Sequence, residues 1–375
     1  PGVPPDAPPT AAARHAGVEI VSELDVGFRG LAAAGAETRC IAITGTNGKT
    51  TTTALIAHLL SSAGLRATTA GNIGRPMTDL VLAGERFEWL SVEVSSFQLH
   101  DSPNFAPEIG VLTNLAPDHL DRYPSAEAYY ADKRLLFRNA RAESVWVLNA
   151  DDPLVLKLAN GFAGRPVLFS LTKSADASYD RPSRTLRLGR EILLKRDELH
   201  LLGDHNIANA LAGSLAVHEA GVPAERIAEG LRSFRPLPHR LEPVGDRHGV
   251  LWINDSKATN TAATTVPVVA MERPYVLLLG GRHKGEPYTS LASLLADRCR
   301  LVIAYGEAGP LVEEDLKGRV PLERGTTFED VVARARRSAR PGDAVLLSPA
   351  CSSYDMFKNY EERGATFRRL AQKDS

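Results

Sequence analysis

The sequence predicts an α/β protein built from two successive parallel-sheet units, and three observations predict it. From Cys40 onward, short apolar runs alternate with segments of helical periodicity; residues 89–94, 109–114 and 145–148 read as strands of parallel β/α layers. The helical pattern then breaks at three prolines in "SFRPLPHRLEPV", residues 233–244, which suits a junction between units. A second series follows, with strands expected at 251–254, 275–279, 301–305 and 344–347. The 375 residues accommodate two or three domains, each with its own core. The first unit opens on a strand, a glycine turn and a helix, which makes it a phosphate-loop-type parallel sheet. The second reads as a Rossmann-like α/β domain.

Ahead of Cys40 the chain starts proline-rich, "PGVPPDAPPT", with neither an initiator Met nor a signal-peptide core. The expectation is that it begins partway through a longer protein. "AAARHAGVEIVSEL" reads as a short helix followed by a strand, with an Ala/Gly connector over 31–36. Composition is that of an ordinary globular chain: 43% hydrophobic, 24% charged, net charge −1. Such a balance lacks the basic stripe of a nucleic-acid partner. Three cysteines (Cys40, Cys299, Cys351) lie far apart with no CxxC pair, against a disulfide framework or zinc site and in keeping with a reducing cytoplasm. No apolar run reaches 18 residues, so no membrane partner is expected.

The stretch "CIAITGTNGKTTTTALIAHLL" carries the first chemistry. The apolar run 40–43 ends in Gly45-Thr46-Asn47-Gly48-Lys49-Thr50-Thr51, and a helical pattern (Ala54, Leu55, Leu59, Leu60) starts at once. Free N–H groups and the helix dipole favour an anion at such a turn. The lysine neutralises outer phosphates and a hydroxyl ligates Mg²⁺. The spacing departs from G-x-x-x-x-G-K-[ST], which puts glycine where Ile43 stands. The plain alternative is a glycine turn capped by threonine hydroxyls. Four consecutive threonines weaken a helix interior, a cost that is explained if Thr50 and Thr51 act on a ligand.

In "WLSVEVSSFQL", Leu90, Val92 and Val94 alternate with Ser91, Glu93 and Ser95, which is strand periodicity. Glu93 lies near the strand's carboxyl end, where open α/β sheets hold ligands. It either completes a Mg²⁺ site with Thr50 and phosphates or sits on the solvated face of an edge strand. His119 follows in "TNLAPDHLDRYPS", a loop with Asp118 and Asp121, and reads as a surface residue or a ligand. Ser125 then caps a helix expected over 126–140. Ala126, Tyr129, Tyr130, Phe137 and Ala140 share one face with Lys133 in its middle, and Leu135 is the apolar exception on the polar side. A lysine on a buried stripe must be paired, neutral, modified or snorkelling. A neutral one is nucleophilic and takes up CO₂ as a carbamate, which offers oxygens to a second hard metal ion.

Three strand ends in the second half offer cations and hydroxyls. They are "WINDSKATN" (Asp255, Ser256, Lys257, Thr259), "LLLGGRHKG" (Arg282, His283, Lys284) and "LLSPACSSYDMFKNYEERG" (Ser348, Ser352, Ser353). Singly each reads equally as an exposed loop; together they fit a site for a small anion.

These residues together resemble the Mur ligase superfamily. The resemblance rests on "TGTNGKTTT", "GNIG", "EVSSFQL", "TNLAPDHLDRYPS" with Lys133, "NADD" and "GDHNIANALA". It continues through "LPHRLE", "NDSKATN", "LLGGRHKG" and "SPACSSYDMFKNYEERG", in order along nearly the whole chain. "SSFQL", "LPHRLE", "NDSKATN" and the last motif single out the D-glutamate-adding member. The resemblance implies a remnant of a UDP-binding domain over 1–37, an ATP-binding domain over 38–237 and a Rossmann-like ligase domain over 238–375. Lys49 and Thr50 would hold ATP phosphates and one Mg²⁺, with Glu93 as a further ligand. His119 and a carbamylated Lys133 would hold a second Mg²⁺. Asn206 and Asn209 would approach the adenine, and Arg240, Asp255 and Lys257 would reach the nucleotide. Asn72, Ser95 and Gln98 would contact the acceptor, UDP-N-acetylmuramoyl-L-alanine. Thr259, Lys284, Ser353 and Tyr360 would surround D-glutamate. Two departures stand out: the extra basic side chains of "GGRHKG", and Tyr360 where relatives often carry Phe.

The implied reaction phosphorylates the L-alanine carboxylate from ATP, then lets the D-glutamate amine displace phosphate. Cations should supply most of that catalysis, because two anions must meet. The resemblance implies a cytoplasmic enzyme, and a monomer is expected. The rivals are another ligase of the superfamily, such as a folylpolyglutamate synthase, a nucleotide-binding module without ligase activity, and a simple phosphate-loop kinase. The kinase leaves Lys133 and the second α/β unit without a purpose.

Overall fold

A computed structural model describes residues 3, 7–35 and 37–373. The chain forms two compact units: one runs to His200 and takes in His205–Phe234, and the other joins Leu201–Asp204 to the chain from Arg235 onward.

In the first unit nine strands make one sheet: β1 (Arg39–Thr44), β2 (Ala67–Gly71), β3 (Trp89–Glu93), β4 (Ile109–Leu112), β5 (Val145–Asn149), β6 (Arg165–Ser170), β7 (Ala177–Asp180), β8 (Thr185–Leu188) and β9 (Glu191–Lys195). Their order is β2-β3-β1-β4-β5-β6-β7-β8-β9. Pairing is parallel from β2 through β7, and β8 and β9 add two antiparallel pairs at the edge. The chain leaves β1 for the edge strand β2, returns through β3, and then crosses to β4 on the other side of β1, so the turn after β1 sits at a topological switch point. The helix Lys49–Ser62 covers β2 and β3 and buries Leu55, Ile56, Leu59 and Leu60.

All five residues of β3 are buried. A parallel strand with both faces covered need not be apolar throughout, provided its polar groups are paired. Ser91 Oγ accordingly donates to Thr53 O at 2.8 Å. The alternation along β3 therefore does not mark a solvated face.

The strand expected before the 31–36 connector is absent among the described residues. A helix, Glu23–Ala33, follows Ser22 instead and absorbs the first half of the connector. Ser22 caps it by accepting from Asp25 N, acidic residues fill its first turn, and Leu24, Gly27 and Leu31 form its buried side. The helix expected over 126–140 is also shorter. It spans Ala126–Arg134 and tightens into a 3₁₀ turn at Leu135–Phe137, which buries Leu136 beside Phe137.

The second unit has β10 (Glu242–Arg247), β11 (Val250–Asn254), β12 (Tyr275–Gly280), β13 (Cys299–Tyr305), β14 (Leu322–Arg324) and β15 (Ala344–Leu347). The order is β10-β11-β15-β12-β13-β14, parallel except for the antiparallel edge strand β10. Its strands divide by alternation. Ile253, Leu277, Leu279 and Leu346 enter one core, while Trp252, Val276, Leu278, Val345 and Leu347 enter the other.

Gly110 in β4 shows how tightly the first sheet is covered, since a Cβ there would lie 2.6 Å from the Trp146 ring. Gly110→Ala is expected to cost about 1–3 kcal/mol by overpacking. A thermal melt should fall by several degrees, and an unchanged midpoint would contradict this packing.

Candidate active site

The turn after β1 is held by what surrounds it. Gly45 (φ 140°) and Gly48 (φ 85°) lie in positive-φ conformations. Neither has room for a Cβ, which would strike Thr113 Oγ1 at Gly45 and Asn209 Oδ1 at Gly48. Thr46 N donates to Asn114 O and Asn47 N to Asn114 Oδ1, both at 2.9 Å, and Thr113 Oγ1 donates to Asn47 O at 2.7 Å. The helix Lys49–Ser62 starts at Gly48 with no side-chain cap, and the positive end of its dipole faces the turn, which favours an anion there. Lys49 Nζ folds over the turn and donates to Gly45 O at 3.0 Å and Thr46 O at 2.8 Å. Thr50 and Thr51 are half-buried in the first helical turn.

Register places Glu93 opposite Ile43 on one side and Gly71 on the other. Its side chain is 2% exposed, and Oε1 accepts from Asn72 Nδ2 at 2.7 Å. Oε2 is buried with no hydrogen-bond partner among the described residues. An unpaired buried carboxylate oxygen is costly, and a hard divalent cation is the partner that chemistry favours. Asn72, expected at the acceptor, thus also holds Glu93. Ser95 and Gln98 form a capping box: Ser95 Oγ accepts from Gln98 N, and Gln98 Oε1 accepts from Ser95 N.

Lys133 is 1% exposed, and its Nζ donates to Gly45 O at 2.8 Å. The carbonyl of Gly45 therefore receives both Lys49 and Lys133. Burial, then the charge of Lys49, holds the Lys133 pKa well below the usual lysine value. Asp118, Glu93 and Asp132 pull it back only in part. Its Nζ also lies 4.5 Å from the centroid of the Tyr129 ring. His119 meets the same ring edge-on at 5.8 Å, from a turn in which it takes φ 53°. Snorkelling, the bland reading of this lysine, does not occur. Among the described residues no three His, Cys, Asp or Glu side chains cluster closely enough to hold a metal by themselves.

Asn206 and Asn209 are buried on the helix Asp204–Glu219, Asn209 Nδ2 donating to Asn206 Oδ1 at 3.0 Å, with Asn209 over Gly48.

In the second unit the loops after β11, β12 and β15 meet at the carboxyl end of the sheet. Arg282 and Ser352 exchange two backbone hydrogen bonds, at 2.9 and 3.2 Å, which joins the glycine turn to the last loop. Lys284 Nζ lies 3.5 Å from Thr259 Oγ1. Lys257 is exposed with its Nζ 5.5 Å from the Tyr360 ring centroid, Arg240 is half-buried, and Ser353 is buried. Asp255 accepts from Leu241 N at 3.1 Å and Ser348 Oγ at 3.0 Å. Burial pushes its carboxyl up from 3.8 to about 7, against those two donors and the charges of Arg240 and Arg363.

Two family descriptions match the chain: "Mur ligase middle domain" over residues 43–217 and "Mur ligase, glutamate ligase domain" over 239–351. A UDP-N-acetylmuramoylalanine–D-glutamate ligase of Salinibacter ruber is 43% identical, across 99% of this chain and 83% of that protein. The chain belongs to the Mur ligase family. The enzyme of the same name from Solibacter usitatus is 40% identical over the same shares. Among solved structures, the UDP-N-acetylmuramate-alanine ligase of Thermotoga maritima aligns with a TM-score of 0.68 at 20% identity, covering 100% of this chain and 84% of that one. A pseudomurein peptide ligase of Methanothermus fervidus aligns at 0.66 and 18%, covering 89% and 78%. These last two likenesses concern the fold.

The motif reading assigned no role to Arg363, which is fully buried. Its Nε donates to Ser256 Oγ (2.9 Å), Nη1 to Cys351 O (3.1 Å) and Nη2 to Ser256 O (2.8 Å). It ties the loop after β11 to the loop after β15. Its place on the buried stripe with Phe367 and Leu370 was a readable signal, the same one that marks Lys133.

Asp255 yields a pH prediction. Because its folded pKa is raised, the folded state holds this proton more tightly, and stability from this group falls as pH rises from about 4 to about 7. Asp255→Asn removes the effect. The melting temperature of the variant minus that of wild type should therefore increase across this window; a constant difference would contradict it.

Proposed function

We propose that this chain is an ATP-dependent amide ligase that adds D-glutamate to UDP-N-acetylmuramoyl-L-alanine, a step of peptidoglycan precursor synthesis. The observation that carries the reading is the pair at the end of β1 and β3: a buried, pKa-depressed Lys133 on the phosphate-turn carbonyl, and Glu93 with an unsatisfied buried oxygen. Neither group helps a passive fold. The substrate assignment follows the names of the relatives at 43% and 40% identity. We take 38–237 as the ATP-binding domain and 238–375 as the ligase domain, acting as a monomer in the cytoplasm, where the three buried cysteines stay thiols. Among the described residues, no helix is long and apolar enough to cross a membrane.

The turn Gly45–Thr51 receives the ATP phosphates on its N–H groups, with Lys49 moving from the Gly45 and Thr46 carbonyls onto phosphate oxygens. Asn206 and Asn209 are assigned to the base, and Arg240, Asp255 and Lys257 are further nucleotide contacts in this reading. Asn72, Ser95 and Gln98 place the acceptor carboxylate. Its oxygen attacks the γ-phosphorus, the bond to ADP breaks, and an acyl phosphate results. The D-glutamate amine, placed by Thr259, Lys284, Ser353 and Tyr360, then forms the C–N bond as phosphate departs and the amine loses a proton. Cations on the phosphoryl oxygens supply most of the rate in such a reaction.

Two Mg²⁺ ions fit the donors. Thr50 and Glu93 would hold one; His119 and Lys133 would hold the other once the neutral amine has added CO₂ and lost a proton to become a carbamate. When bound, they supply charge neutralisation at the phosphates.

The test is ADP release that depends on both UDP-N-acetylmuramoyl-L-alanine and D-glutamate. Lys49→Ala should lose about a hundredfold or more with an unchanged melting temperature. Preference for another amino acid, or near-normal turnover in that variant, would overturn the reading.

A further inference from the structure

The turn that presents His119 is fastened from outside itself by one carboxylate that the reading above does not use. Within the turn, Arg122 N and Tyr123 N both donate to His119 O at 2.9 Å, and His119 N donates to Asp118 Oδ1. These bonds shape the turn without anchoring it. Its rings reach further. Tyr123 stacks on Phe97 at 5.3 Å with 17° between planes and meets Tyr129 edge-on at 5.4 Å. Phe97 and Tyr129 in turn meet the His119 ring edge-on, at 5.2 and 5.8 Å. Two rings, Phe97 and Tyr129, thus flank one side of the exposed imidazole, and Tyr123 packs against both of them, so its placement supports theirs.

Asp132 fastens Tyr123 at its hydroxyl, which Ser96 also contacts. Its Oδ2 accepts from the Tyr123 hydroxyl at 2.9 Å, and its Oδ1 lies 2.9 Å from His100 Nδ1. The carboxylate is only 16% exposed and belongs to the helix that carries Lys133. His100 ends the short helix that begins with the Ser95–Gln98 capping box. One side chain therefore joins three parts of the site: the His119 turn, the Lys133 helix and the helix after β3. A hydrogen bond to a charged acceptor that is mostly shielded is worth about 1.5–3 kcal/mol, enough to keep a short surface turn closed.

We propose that Asp132 is a positioning residue: through Tyr123 it holds the His119 turn against the Lys133 helix, so that His119 and Lys133 are presented together. This rests on the proposed role of His119 and Lys133 in holding a cation. It predicts that the acceptor oxygen is what matters, because charge alone would act on Lys133 directly. Asp132→Asn can keep an oxygen on the Tyr123 hydroxyl and place its amide toward His100, whereas Asp132→Ala loses both contacts. Tyr123→Phe loses the hydroxyl while its ring keeps the stack on Phe97, which guards against a simple folding defect.

The experiment follows amide hydrogen exchange of residues 117–124 in the full chain. A second readout is Mn²⁺ affinity, measured by calorimetry in the presence of a non-hydrolysable ATP analogue. Asp132→Ala and Tyr123→Phe should each speed exchange in this turn about tenfold or more and weaken Mn²⁺ binding severalfold. The double variant should be no worse than Asp132→Ala alone, and Asp132→Asn, which keeps the acceptor oxygen without its charge, should show a clearly smaller effect than Asp132→Ala. Unchanged exchange in Asp132→Ala, or an equal effect in Asp132→Asn, would overturn the proposal. Exchange needs no turnover, so that outcome is separate from failure of the ligase reading, which ADP release by the wild-type chain decides.

Discussion

The carbonyl of Gly45 accepts two lysines, and most of the first unit is arranged so that it can. Lys49 reaches it from the following helix and Lys133 from a helix 88 residues further along the chain. Burial disfavours the charged form of Lys133 first, and repulsion from Lys49 on the same acceptor adds to it. Lys133 is therefore the group driven toward its neutral form. The geometry needs Gly45 without a Cβ, Thr113 packed against it, and Tyr129 buried beneath Lys133 with its hydroxyl within 3.5 Å of Thr46 Oγ1. Burial pushes the Tyr129 hydroxyl up to about 12, so it stays neutral and adds no countercharge. A buried lysine pushed toward its neutral form and a buried Glu93 oxygen without a partner make an unfinished site, which the proposed nucleotide, metal and CO₂ would complete.

The second unit meets the same problem with the opposite solution. Arg363 is buried as completely as Lys133, yet its guanidinium finds three oxygen acceptors and remains a cation. It serves as a strut between two loops, whereas the proposed function makes Lys133 a reactive group. The difference follows from the side chains: arginine does not give up its proton and spreads its charge over a fork of donors, while lysine concentrates it on one nitrogen.

Much of this was legible in the amino-acid order. Strand–turn–helix at Cys40–Leu60, the parallel alternation and the misplaced Lys133 all follow from periodicity, because a buried stripe imposes the same spacing whatever lies on it. Glu93 was legible as a candidate but its burial was not. Alternation along Leu90–Ser95 looks the same on an edge strand as on an interior one, and only the strand order β2-β3-β1 puts it inside. The antiparallel strands β7–β9 and the helix Glu23–Ala33 were missed. In the first case the segments are short, and in the second "VEIV" mimics a strand just before the Ser22 cap. The capping role of Ser95 and Gln98, the Asn72 bond to Glu93 and the Asp132 link join residues distant in sequence or serve two purposes at once, which spacing alone does not reveal.

The account stands or falls on the chemical state of Lys133. The direct measurement is a high-resolution electron-density map of the full chain with Mg²⁺ and a non-hydrolysable ATP analogue, grown at ambient CO₂. The account predicts a carbamate on Lys133 Nζ, one oxygen of it on a cation shared with His119, and a second cation on Glu93 Oε2. A bare Lys133 amine still donating to Gly45 O, with no cation near His119 or Glu93, would contradict it.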